Sequence, residues 1–141
     1  AWPREKRPKG ILGSCDMALR NESCSAMGAS PEDFRFVVED VLQEYREAQP
    51  QFAAMEAPID KAGAEFFLNQ NSREPVTEPD EMVPLWKLSH PAGADWTYGS
   101  KGRGGENDCM FLGDDAAWKH ITATAAKQAD DRGCRVFLNT E

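Results

Sequence analysis

The sequence predicts an α+β domain: N-terminal helices packed on a small, mostly antiparallel sheet of about four strands, closed by a C-terminal strand-helix-strand unit. Three observations carry this. One stretch in the first half has strong helical periodicity, the second half holds short apolar runs separated by turn residues, and a capped polar helix lies between the last two runs. At 141 residues, with 40% hydrophobic and 28% charged side chains, the chain is the size of one domain and has enough apolar surface for a core.

Residues 1–29 lack sustained periodicity and carry Pro3, Pro8, Gly10, Gly13 and Gly28. They are expected to form a basic arm and an irregular segment stapled by a disulfide, with residues 30–141 as a single α+β domain. Ser30, Pro31 and Asp33 then announce a helix: a cap, a proline in the first turn, and an acid three residues after the cap. Phe34, Val37, Val38, Val41 and Tyr45 recur on one face of it. Beyond Pro50, "QFAAMEA" and "IDKAGAEFFLNQ" suggest a helical element broken around Pro58. The polar stretch from Asn69 to Met82 reads as a surface loop. "VPLWKLSH", "DWTYG" and "DCMFL" read as three strands, the first at an edge because of Pro84. Asp114 or Asp115 can cap a helix that runs to about Arg132 and stops at Gly133, and "CRVFLN" closes the chain as a strand.

The net charge of −8 argues against a nucleic-acid partner, although the first ten residues carry +3. No apolar run approaches the roughly 18 residues of a membrane span. Cys15, Cys24, Cys109 and Cys134 form no Cys-x-x-Cys pair, so zinc and thioredoxin-like sites are disfavoured. An even count favours two disulfides, with Cys15–Cys24 and Cys109–Cys134 the preferred pairs, and hence a secreted, periplasmic or organelle-lumen location.

The chemistry-bearing residues are few. No Gly-x-Ser-x-Gly elbow, calcium loop or His-Glu-x-x-His stretch occurs, and no metal or cofactor is expected. The glycine-rich "YGSKGRGGENDC" fits neither the Walker loop nor the dinucleotide fingerprint, because strands flank it on both sides in this reading. His120 falls about 160° from the inward face of its helix and points to solvent. Trp96 and Tyr98 alternate onto one face beside Lys101 and Arg103, and Phe36 sits opposite the apolar face of the first periodic helix. The leading expectation is a non-catalytic binding module, such as an inhibitor, an immunity or effector protein or an accessory subunit. It would contact a protein or glycan through Trp96, Tyr98, Lys101, Arg103 and Phe36. The alternative is a small hydrolase of a phosphodiester or glycan, with His90 as base and Lys101 or Arg103 stabilising the anion.

Overall fold

The structure, a computed structural model, describes residues 9–103, 108–111 and 113–140. Residues 1–8 of the basic start and residues 104–107 of the glycine-rich stretch lie outside the described residues. In chain order the elements are α1 (Lys9–Arg20), α2 (Pro31–Ala48), β1 (Phe66–Asn69), α3 (Glu74–Thr77), α4 (Val83–Ala92), β2 (Trp96–Tyr98), α5 (Asp108–Phe111), α6 (Asp115–Asp131) and β3 (Val136–Asn139). Single 3-10 turns at Pro50–Phe52 and Pro79–Met82 follow α2 and precede α4.

The sheet corrects the sequence-based expectation. It has three strands in the order β2-β1-β3, all parallel, where a mostly antiparallel sheet of about four was expected. The cause is two misread stretches. "VPLWKLSH" is helix α4 and not a strand; Val83 and Trp86 are buried three residues apart, and Pro84 lies in the first turn, where its missing N–H costs nothing. A helix there supplies the crossover that a parallel pair requires. "FFLN", read as the tail of a helical element, is the central strand β1. A strand buried on both faces shows no alternation and cannot be told from a helix by periodicity. "DCMFL" is also not a strand: its first four residues form the helical turn α5. The stretch expected to be irregular before residue 30 contains α1, and the expected loop between β1 and α4 contains α3.

Other elements stand as read. Ser30 caps α2 with a full capping box: its hydroxyl accepts from Asp33 N, and Asp33 Oδ2 accepts from Ser30 N. The Asp114 side chain accepts from Ala117 N at the start of α6, and β2 and β3 lie within the predicted strands.

Because β2 and β3 flank β1 on opposite sides, right-handed crossovers place α4 and α6 on opposite faces of the sheet. On the α4 face, Phe34, Val38, Val41 and Leu42 of α2 join Val83 and Trp86 of α4 over Leu68, Trp96 and Tyr98. A second apolar cluster lies apart from this one: Cys15 and Ala18 of α1, Cys24, Ala26, Cys109 of α5, and Ala117 and Ile121 of α6. Gly99 continues β2 where any side chain would collide with the Phe67 ring, a Cβ there falling 2.6 Å from Phe67 Cζ.

Candidate binding surface

The two edges of the sheet differ. Beyond β2 the chain adds a short parallel extension: Ile59 bridges Tyr98, Tyr98 N donates to the Pro58 carbonyl at 2.8 Å, and Asp60 N donates to the Tyr98 carbonyl at 2.8 Å. Asp60 then takes a positive φ of 57° and turns the chain back. Its carboxylate accepts from Ser100 N at 3.0 Å and Ser100 Oγ at 2.6 Å, and pairs with Arg35 of α2 and with Arg132 after α6. Burial pushes the Asp60 carboxyl up. The Ser100 hydrogen bonds and the Arg132 charge outweigh that and hold it below the ordinary carboxylate value. With both oxygens engaged by donors, Asp60 is a structural bracket and not an available acid or base.

Trp96 and Tyr98, for which the sequence allows either core packing or a contact surface, are in the core. Trp96 and Tyr98 are buried and pack edge to face at 5.0 Å. The Tyr98 hydroxyl donates to Gln70 Oε1 at 2.5 Å and accepts from Trp86 Nε1 at 3.0 Å, and burial raises its pKa well above the ordinary tyrosine value. Arg103 is buried as well, its guanidinium 4.0 Å above the Phe34 ring. Lys101 is exposed and pairs with Glu22 at 2.7 Å. The intended contact set is therefore divided: Trp96, Tyr98 and Arg103 face inward, while Lys101 and Phe36, the latter 69% exposed, face solvent. Two further amides in the described part of the glycine-rich loop are committed. Gly102 N donates to the Glu22 carbonyl at 3.0 Å and Arg103 N to the Ser23 carbonyl at 2.9 Å, so these two N–H groups do not cradle an anion.

The hydrolase constellation is not brought together. His90 lies near the end of α4, on the side from which β2 starts, and packs edge-on to Phe52. Lys101 and Arg103 follow the opposite end of β2. His120 is exposed on α6, as its helical position predicts. Among the described residues no group of His, Cys, Asp and Glu could hold a metal ion, and no helix is long and apolar enough to cross a membrane.

None of the four cysteines, all among the described residues, is in a disulfide. Of the two preferred pairings, Cys109–Cys134 is separated by the fold. Cys15, Cys24 and Cys109 share the second apolar cluster, whereas Cys134 is half-buried just before β3.

What sequence reasoning missed is the other edge. Parallel strands are ordinarily covered on both faces, yet Val136, Phe137 and Leu138 of β3 are 39%, 39% and 45% exposed. Register aligns Val136 with Phe66 and Leu138 with Leu68 on the α4 face, and Phe137 with Phe67 on the other. Phe137 stacks on Phe67 at 5.7 Å. Val136 N donates to the Glu65 carbonyl and Thr140 N to the Asn69 carbonyl, so the alternation of a parallel ladder turns the N–H and C=O of Phe137 outward. Among the described residues no strand lies beyond β3. Its apolar composition signals a strand, but only the three-dimensional arrangement shows it bare. No protein family, no curated protein and no solved structure matches the chain.

Proposed function

We propose that this chain is a non-catalytic binding module that takes an extended segment of a partner polypeptide along β3. The exposure of Val136, Phe137 and Leu138 in an otherwise buried parallel sheet carries the reading. Strand addition would satisfy the outward main-chain groups of Phe137 and cover side chains on both faces at once. Natural sheet edges are usually guarded by charge, proline or a bulge. Val136–Asn139 carries no charge and no proline, in a chain of net charge −8. A partner protein is favoured over a glycan because the aromatic platform a sugar would stack on is buried. It is favoured over a second copy because two chains of −8 repel, and a four-residue edge falls short of the area a stable dimer buries.

The test uses the 141-residue chain as bait in extracts of its native source, with Leu138→Lys and Phe36→Lys beside it. Wild type and Phe36→Lys should recover the same polypeptide, and Leu138→Lys should lose it by tenfold or more. Equal recovery by Leu138→Lys overturns the surface. So does a concentration-dependent dimer of the purified chain that Leu138→Lys dissolves, because a second copy would then be the occupant. Secretion or a periplasmic or lumenal location belongs to the proposal through the cysteine count alone, and four alkylatable thiols in unreduced native protein overturn it.

A further inference from the structure

The second apolar cluster brings three thiols together from separate parts of the chain. Cys15 lies in α1, Cys24 in the turn that follows it, and Cys109 in α5, and all three are buried. Cys15 and Cys109 are both fully buried and stand 2.5 Å apart. Cys24 is held differently. It adopts a positive φ of 56°, and its thiol lies beside Thr124 of α6. Cys134 is outside the cluster, in the turn between α6 and β3.

We propose that Cys15 and Cys109 are a redox pair, and that oxidation by a low-molecular-weight disulfide joins them and locks α1 onto α5. The Cys15 sulfur attacks one sulfur of the oxidant, breaking its S–S bond and releasing one thiolate. The Cys109 sulfur then attacks the Cys15 sulfur of the mixed disulfide and releases the second thiolate. The protein gives up two electrons and two thiol protons, and the oxidant leaves as two thiols. Access requires α5 to open locally, which an element of a single turn does readily. The same bond holds one wall of an open hollow of about 780 Å³, lined by Asp16, Met17 and Arg20 of α1 and by Ser30, Pro31 and Glu32 at the start of α2. The pairing is independent of the β3 surface, so either can fail alone.

Trypsin separates all four cysteines, into residues 10–20, 21–35, 104–119 and 133–135. Protein equilibrated with oxidised glutathione, alkylated under denaturing conditions and digested without reduction should yield peptide 10–20 linked to 104–119. Cys24 and Cys134 should be alkylated. The link should persist in Cys24→Ser, and Cys109→Ser should leave Cys15 alkylatable. The oxidised protein should melt about 10 °C above the reduced one, because the bridge closes a long loop. Four alkylated thiols, a dominant link through Cys24 or Cys134, or identical melting of the two forms overturns the proposal.

Discussion

β2 and β3 are the two flanks of one sheet, pair with the same central strand, and have been treated in opposite ways. β2 is buried along its whole length, roofed by α2 and α4 and bordered by the Pro58–Asp60 extension. β3 has a similar composition, yet every residue of it is exposed. Apolar sequence alone does not decide burial. What decides it is whether the chain supplies neighbours, and the described residues supply them on one side only.

That contrast can be broken at five residues, starting from the largest effect. Trp86→Ala removes a fully buried ring and the donor to Tyr98, and should cost about 4 kcal/mol in denaturant unfolding. Phe137→Ala on the bare strand should cost about 1 kcal/mol, and equal losses would show that β3 is as much a part of the core as β2. Asp60→Asn unmakes the bracket at the β2 edge and leaves Arg132, with its side chain 15% exposed, short of its counter-ion; about 2 kcal/mol is expected. The pH dependence has a definite sign. The folded Asp60 carboxyl is depressed, so its contribution is fully present above the ordinary carboxylate range. It disappears as pH falls through the depressed folded value. Acid titration of the wild type should show this loss and Asp60→Asn should not.

Tyr98→Phe leaves Gln70 Oε1 and Trp86 Nε1 without the hydroxyl that links them, and should cost about 1.5 kcal/mol by thermal unfolding. Leu138→Lys should change stability by no more than about 0.5 kcal/mol while abolishing partner recovery. A large loss of stability in that variant would mean that β3 is not a spare surface.

Much of the fold is legible before any coordinates. The capping box at Ser30, the Asp114 cap and the two β-rich runs around Trp96 and Phe137 each have a local cause. Sheet direction has none. It follows from whether residues 83–92 are helix or strand, and Pro84 with a short apolar run permits either reading. Misreading that one element removes the crossover and forces antiparallel pairing on the rest. The candidate surface is half legible: "VFLN" declares a strand, but its exposure depends on what fails to pack there. The thiol pair is illegible in spacing because it joins α1 to a turn nearly a hundred residues on, and only the packing of α1 against α5 and α6 brings the two together.

The bracket at Asp60 also bears on the order of events in folding. Its partners come from positions 35, 100 and 132, so the carboxylate acquires its full set only after α2, β2 and α6 are all in place. We expect a contact that needs so much of the chain assembled to form late in folding. Asp60→Asn should therefore leave the refolding rate nearly unchanged and speed unfolding instead, making this one side chain a determinant of how long the folded molecule persists rather than of how fast it forms.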